Sequence, residues 1–258
     1  MNGINPNKKN NHMNLIITMA GRYSRFVDEG YRLPKYLLPW GNKSILNEII
    51  LELNKDSDFD KVYLIANKRD EIYMPHVKRI MQSMNISLEN LFLISDTNGQ
   101  AETANIAISK ICKRFGKLNG SIVFHNIDTI LYNRKINEIN SHLDKNEGYI
   151  DIFESSNHAY SYVLIENRSV KSIAEKIVIS NSASSGMYVF KDMDTFKKFY
   201  TQDMLFISDV FKHMIEKGAS IATSAVHSEN DTIESIKKQL NRTTSTTTTT
   251  NFSPPTGP

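Results

Sequence analysis

The chain has 258 residues, with 31 Lys and Arg against 28 Asp and Glu and a formal net charge of +3. That length suits one large α/β domain or two small ones, and charges so balanced and interspersed do not point to nucleic acid or a membrane surface as partner. The single cysteine, Cys112, excludes an internal disulfide framework, and no apolar run reaches the roughly 18 residues that span a bilayer.

Residues 1–13 read as a polar Asn- and Lys-rich tail without the hydrophobic segment of a secretory signal, so the default expectation is a cytoplasmic protein. A short apolar strand is expected over 14–19 and leads directly into Met19-Ala-Gly-Arg-Tyr-Ser-Arg-Phe26. A glycine turn at the carboxyl end of such a strand turns backbone N–H groups toward the crevice where nucleotide phosphates bind. Gly21 allows a tight turn, Arg25 offers charge-assisted bonds to phosphate oxygens, and Lys35, after Pro34, offers a mobile point charge. The plain alternative is a strand-to-loop turn with solvated cations. A dinucleotide fingerprint is absent, because only Gly21 stands where three spaced glycines belong.

Further along, helices are expected over 44–54, 70–83, 101–115 and 135–145, alternating with strands over 61–66, 91–95 and 121–126. Within 101–115 the residues Ala101, Ala104, Ala107, Ile108, Ile111, Cys112 and Phe115 share one face, which places Cys112 in a core stripe. From about 149 the rhythm changes to successive strands, Gly148–Ser155, Tyr160–Glu166, Val170–Lys176 and Ser184–Phe190, with a turn near Asn167-Arg168 and Gly186 at the start of the last. Helices over 192–200 and 205–217 follow, the second stopped by Gly218. The pattern predicts a single Rossmann-like, three-layer α/β domain over 14–240, with a mixed, mostly parallel sheet and a substrate-covering lobe built onto it. Residues 241–258, a Thr/Ser run followed by Pro-Pro, form a disordered tail on composition, and Asn241-Arg-Thr243 is a chance sequon.

Asp128 follows the strand 121–126 and should project over the same crevice as Gly21; one or two carboxylates with phosphate oxygens and waters suffice for Mg²⁺. Asp209 is a candidate second carboxylate, against a simpler role as negative charge at a helix N-terminus. Glu175-Lys176, then Ser180-Asn181 and Ser185-Gly186, suggest an acceptor side, against an exposed ion pair at a strand end. The seven histidines show no close metal-ligand spacing, His125 reads as a packed or solvated residue, and no G-x-S-x-G elbow occurs.

Taken in order, these pieces resemble the sugar-phosphate nucleotidyltransferases, the pyrophosphorylases that make nucleoside-diphosphate sugars. The loop MAG-x-GSRF and the run G-Y-x-x-P-K are matched by Met19–Phe26 and by Gly30-Tyr-Arg-Leu-Pro-Lys35, with Tyr23 where the family usually has glycine. Gly99-Gln-Ala-Glu-Thr103, Asp128, Glu175-Lys176, Ser180-Asn181, Ser185-Gly-Met-Tyr188 and Ile207-Ser-Asp-Val210 match the later motifs, from about residue 14 to about 220. The resemblance implies a triphosphate site on Ala20, Gly21, Ser24, Arg25 and Lys35, with Arg25 and Lys35 catalytic and Gly99 and Gln100 bordering the base. It implies Mg²⁺ on Asp128 and Asp209 and an acceptor phosphomonoester, such as a sugar 1-phosphate, on Glu175, Lys176 and Asn181. The implied reaction is attack on the α-phosphorus of an NTP with release of pyrophosphate. A cytidylyltransferase of non-sugar phosphomonoesters, a glycosyltransferase using Asn126-x-Asp128, and a non-catalytic nucleotide binder stay open beside it. The resemblance includes no appended acetyltransferase domain and fixes neither base nor oligomeric state.

Overall fold

A computed structural model describes residues 12–23, 28, 30, 32–55, 59–167, 169–228 and 232–233. The expected sites Ser24 and Arg25, with Phe26, Arg168, the segment after 233 and most of the first tail, lie outside them. The chain begins with β1 (Met13–Met19), a hairpin of β2 (Pro39–Trp40) and β3 (Lys43–Ser44), α1 (Ile45–Asn54), β4 (Lys61–Asn67), α2 (Met74–Ser83), β5 (Leu91–Ile94) and α3 (Gln100–Phe115). Then come β6 (Ser121–Asn126), β7 (Ile130–Leu131), α4 (Ile139–Leu143), β8 (Gly148–Glu154), β9 (Ser161–Glu166), β10 (Ser169–Glu175) and β11 (Ser182–Phe190). After these the chain runs through α5 (Met193–Phe199), α6 (Ile207–Glu216), β12 (Ile221–Thr223) and β13 (Thr232–Ile233).

Nine strands form one sheet with the path β10-β9-β11-β6-β1-β4-β5, and β8 and β12 join it through β11. The centre, β6-β1-β4-β5, is parallel, whereas β11 runs antiparallel to β6, β8 and β9. The strands of the second half therefore extend the first half's sheet, as expected of a lobe built onto it. Because β4 lies on one side of β1 and β6 on the other, the chain order reverses at β1, and the crevice beyond the carboxyl ends of β1 and β6 is the topological switch point.

The sheet is covered on both faces, and β1 shows why its sequence demands this. Met13, Leu15, Ile17 and Met19 enter one core while Ile16 and Ala20 enter the other, the two-residue period of a strand buried on both sides. Ile45, Leu46, Ile49, Ile50 and Leu53 of α1 close the first core; Ala104, Ala107, Ile108 and Ile111 of α3 and Ile207, Val210, Phe211 and Met214 of α6 close the second. Among the described residues no helix is long and apolar enough to cross a membrane.

Several boundaries differ from expectation for local reasons. The helix expected over 70–83 starts as a 3₁₀ segment, Lys68–Tyr73, and turns α-helical only at Met74. Pro75 has no N–H to continue the earlier turn and belongs in the first turn of a new helix. The expected helix 135–145 shrinks to a 3₁₀ turn, Ile136–Glu138, plus the five residues of α4, since Asn137 and Asn140 favour helix weakly. Gly186 lies inside β11 rather than at its start, where the register of β11 on β8 shifts. Its φ is +88°, and an added Cβ would stand 2.6 Å from the Asn126 amide, so only glycine lets β11 pass the end of β6. Cys112 is half-buried rather than core, its Sγ 3.6 Å from Met193 Sδ, and Phe115 is 39% exposed. The core face of α3 is narrower than its sequence pattern.

Candidate active site

The loop after β1 is held from behind by the segments after β4 and β5. Register explains the meeting: Met19 pairs with Ala66, which brings Asn67 level with Ala20, and Asn67 pairs with Ile94, two residues before Asp96. The Arg69 guanidinium donates to the carbonyl oxygens of Ala20 (3.1 Å) and Gly21 (2.7 Å), and the Asn67 amide reaches the Ala20 oxygen at 3.4 Å. Asp96 ties the brace together by accepting from Asn67 (2.8 Å), Arg22 (3.0 Å) and Arg69. The Asn67 amide first, then Arg22 and Arg69, hold the Asp96 carboxyl below its ordinary range against a weaker opposing effect of burial. In a trans peptide the C=O and N–H point opposite ways. With both carbonyls drawn toward Arg69, the N–H groups of Gly21 and Arg22 face away from it, and both residues are exposed. Two outward N–H groups in succession make an anion cradle.

Gly21 itself adopts no left-handed backbone, and an added Cβ would meet nothing within 4 Å. Among the described residues nothing crowds this position, which agrees with the close backbone approach that a glycine here allows. Gly21→Ala is expected to leave stability unchanged or raised by up to about 1 kcal/mol, while nucleotide affinity falls; thermal melting and a binding titration check the two halves.

Lys35 opens a 3₁₀ turn, Lys35–Leu37, behind Pro34, and its Nζ lies 3.1 Å from Asp128 Oδ2. The Lys35 side chain is 16% exposed and that of Asp128 49%, so the pair sits at the mouth of the crevice with the carboxylate outward. Burial acts to raise the Asp128 pKa, but the charge and hydrogen bond of Lys35 prevail and hold it below the usual carboxylate range. Behind Asp128, His125 is fully buried and its Nε2 lies 2.9 Å from the Thr129 carbonyl oxygen, which requires an Nε2–H donor and fastens the turn that carries Asp128. His125 Nδ1 has no hydrogen-bond partner among the described residues. Burial pushes this imidazole down to about 4 from 6.5, ahead of the opposing Thr129 bond and the charges of Asp128 and Asp151. With the folded pKa depressed, the unfolded chain takes up a proton that the native one refuses. The contribution of His125 is complete above 6.5 and is lost as pH falls toward 4. Urea titrations between these pH values are expected to show a stability slope of up to one proton, absent in His125→Gln.

A chain of contacts then crosses to the other side of the crevice. Gln100, at the start of α3, donates to Asn126 Oδ1 and accepts the Ile207 N–H at 3.3 Å, so it joins the end of β6 to the start of α6. Its amide is bonded to the protein on both sides, which fixes the side chain at this edge of the crevice. Gly99 is likewise structural, since a Cβ there would stand 2.3 Å from the Leu205 carbonyl oxygen. Asp209 Oδ2 accepts from the N–H groups of Leu205 (3.1 Å) and Phe206 (2.8 Å) and caps α6, the simpler of its two expected roles. One residue earlier, Ser208 Oγ donates to Glu175 Oε2 at 2.8 Å, and Ser161 Oγ bonds the same oxygen. Burial pushes the neighbouring Tyr188 phenol up to about 12, the Ser184 and Ser161 hydroxyls pull against it, and the charges of Glu175 and Asp209 add to it. Lys176 has φ +57°, whereas the other described non-glycine residues of positive φ are all asparagines, and its Nζ stands 5.0 Å from the centre of the Phe206 ring. A lysine in that conformation costs about 1–3 kcal/mol, so its surroundings must hold it there. Asn181 is exposed and offers its carbonyl to the Ser155 N–H at 3.1 Å; among the described residues no hydrogen bond joins its side chain to this cluster.

The structure thus links Ala20 and Gly21 to a brace, Lys35 to Asp128, and Gln100, Asp209, Glu175 and Lys176 through the first turn of α6. Asn67, Arg69, Asp70, Asp96, Tyr36 and Ser208 were missed in the sequence. The N-K-R-D run after β4 was the one available signal, a carboxyl-edge loop rich in charge.

A braced loop after β1 and a lysine–carboxylate pair after β6 thus lie at the switch point of a parallel α/β core, where folds of this class bind their ligands. A profile of the nucleotidyl transferase family matches residues 15–230, and the chain belongs to that family: it is a nucleotidyltransferase. No curated protein sequence matches it. Among solved structures it is similar to a nucleoside-diphosphate-sugar pyrophosphorylase from Vibrio cholerae RC9, at TM-score 0.75 and 22% identity over 88% of this chain and 98% of that one. It is similar also to a candidate glucose-1-phosphate thymidylyltransferase from Bacillus anthracis, at 0.68 and 18% over 94% and 98%. A third relative, the inositol-1-phosphate CTP transferase of T. maritima, gives 0.63 and 10% over 94% and 99%. At these identities the likeness speaks for the fold.

Proposed function

We propose that the enzyme transfers a nucleoside monophosphate from an NTP to a sugar 1-phosphate, releasing pyrophosphate and forming a nucleotide-activated sugar. The observation that carries this reading is the Lys35–Asp128 pair, 3.1 Å apart at the switch point, with Asp128 just past the strand next to the one that ends in the braced loop of Ala20 and Gly21. An acceptor phosphate oxygen attacks the α-phosphorus in line, the new O–P bond forms, and the bond to the pyrophosphate oxygen breaks. A phosphomonoester is already largely ionised at neutral pH, its second pKa being about 6, so no general base is required. Buried, neutral His125 is consistent with that. The Gly21 and Arg22 N–H groups take phosphate oxygens, Ser24 and Arg25, next in sequence, take further ones, and Lys35 offsets charge that grows at the α-phosphate.

Magnesium, when bound, neutralises phosphate charge as a Lewis acid. The donor set fits it: Asp128 is ionised and half-exposed, and Mg²⁺ needs only one or two carboxylates beside phosphate oxygens and waters. Asp209 would be the second, by an oxygen other than the one that caps α6. Glu175 would take acceptor hydroxyls, Lys176 the acceptor phosphate, and Asn181 the outer edge of the group. The expected site of action is the cytoplasm.

The sugar phosphate acceptor is supported by two of the three structural relatives, whose names carry a sugar. A second reading, a cytidylyltransferase of a non-sugar phosphomonoester, is favoured by the apolar rim beside Lys176, where Ile177 is 62% and Leu205 48% exposed. Pyrophosphate release with Mg²⁺, screened over four NTPs against sugar 1-phosphates and other small phosphomonoesters, tests both. A sugar 1-phosphate is expected to give the fastest pair. Fastest release with a phosphocholine-type acceptor would favour the second reading, and sugar transfer from a nucleotide sugar without pyrophosphate would contradict both.

A further inference from the structure

Asp70, in the 3₁₀ segment after β4, is 1% exposed. A carboxylate so buried must be paired or bonded, because an isolated one would be displaced toward its neutral form. Its two oxygens are divided between two tyrosines. Tyr23, in the loop after β1, donates to Oδ1 at 2.6 Å, and Tyr36, directly after Lys35, donates to Oδ2 at 3.1 Å. Arg69, the residue that grips the loop carbonyls, brings its Nε to 3.9 Å of the same carboxylate and its guanidinium to 5.8 Å from the Tyr23 ring centre. Burial first, and then Asp70, raise both phenols above their ordinary pKa, so both remain donors.

We propose that Asp70 is a positioning residue: through Tyr23 and Tyr36 it fixes the phosphate loop and Lys35 at one separation before a nucleotide arrives. The inference rests on the nucleotidyl-transfer reading for what that separation does. It also gives Tyr23 a reason to stand where the resembled motif has glycine. A glycine there would leave the buried Asp70 one donor short, so reversion should loosen the loop rather than improve it. Small errors in placing reacting groups are expensive in rate, which is why such a clamp would matter.

Tyr23→Phe and Tyr36→Phe each delete one hydroxyl and keep the ring, and melting verifies that they fold. Each is expected to lower kcat about tenfold with the acceptor KM unchanged, the scale of a hydrogen bond to a charged group. The double variant should lose less than the product of the two, since both hydroxyls act through one carboxylate, and Tyr23→Gly should also be slower than wild type. Hydrogen exchange supplies a readout independent of turnover: either single variant should speed exchange in both segments, 20–23 and 35–37. A wild-type enzyme without turnover would overturn the functional reading and leave the clamp to be decided by exchange. Acceleration confined to the substituted segment, singles that multiply in the double, or a kcat within twofold of wild type would overturn the clamp.

Discussion

Lys35→Ala is expected to lower kcat by about 10²–10³-fold, the usual loss when one preorganised charge or donor is removed from a transition state. Lys35 is fixed in three ways. Pro34 sets the entry to its turn, Leu37 N–H closes on the Pro34 carbonyl at 2.8 Å, and Tyr36 is anchored on Asp70. Little reorganisation is then left for the reaction itself. Arginine should not rescue, because a planar fork does not reproduce a compact point charge. The fold should tolerate the change, since Asp128 is half-exposed and water replaces the lost partner. Its carboxyl pKa should then rise from the depressed position that Lys35 maintains, which a carbon-detected titration of Asp128 would follow. Pre-steady-state turnover and melting, measured on one preparation, check the claim. A kcat within threefold of wild type would remove Lys35 from the chemistry.

Arg134→Ala is expected to cost about 3–5 kcal/mol of stability, the scale of removing one partner from a buried ion pair. Arg134 follows β7 and is 2% exposed by side chain; its Nε lies 3.0 Å from each oxygen of Asp151, which is 1% exposed in the middle of β8. The Arg134 Nη1 also bonds the Tyr132 carbonyl oxygen at 2.9 Å, and His227 Nε2 stands 3.8 Å from Asp151. Without Arg134 a carboxylate would be left buried in the sheet without its guanidinium partner. Globular proteins have about 5–15 kcal/mol in all, so this one change should take a large share of the margin. For a chain of this size it corresponds to a fall of roughly 6–20 °C in Tm. Arg134→Met combined with Asp151→Leu should recover most of the loss, because the pair as a whole adds little over apolar packing. Scanning calorimetry of the three proteins decides it, and a fall below 2 °C in the single variant would show that Asp151 finds other compensation. The pair has a bearing on function as well, since β7 follows directly on the turn that carries Asp128.

What could be read from the sequence was what lies close along the chain. Short, continuous apolar runs over 14–19 and 121–126 announced strands of a sheet covered on both sides, and residues just past their ends, Gly21 and Asp128, had to fall at a carboxyl edge. The parallel pairing of these two strands then made them neighbours. The roles of Asn67, Arg69, Asp70 and Asp96 could not be read because they act on a loop 47 to 74 residues away, through a register that no local pattern reveals. Tyr23 looked like an irregularity for the same reason: its partner Asp70 is brought to it only by the β1–β4 pairing. What surrounds a glycine is set by the fold and not by its neighbours in sequence. Gly21, expected to allow a turn and close backbone approach, has no described atom within 4 Å of an added Cβ, whereas at Gly99 the close approach is made by the Leu205 carbonyl. Asp209 was given two roles by its place at a helix start, and the fold displays the capping one directly.

The central claim, attack on the α-phosphorus of a triphosphate held by the braced loop and Lys35, is tested most directly by following label through the reaction. With the best NTP and phosphomonoester pair, α-³²P should appear in the nucleotide-linked product and γ-³²P in pyrophosphate, one for one, and both should disappear together in Lys35→Ala. Label from the γ-position in the acceptor, or tight NTP binding by folded protein with neither product from any pair, would contradict it.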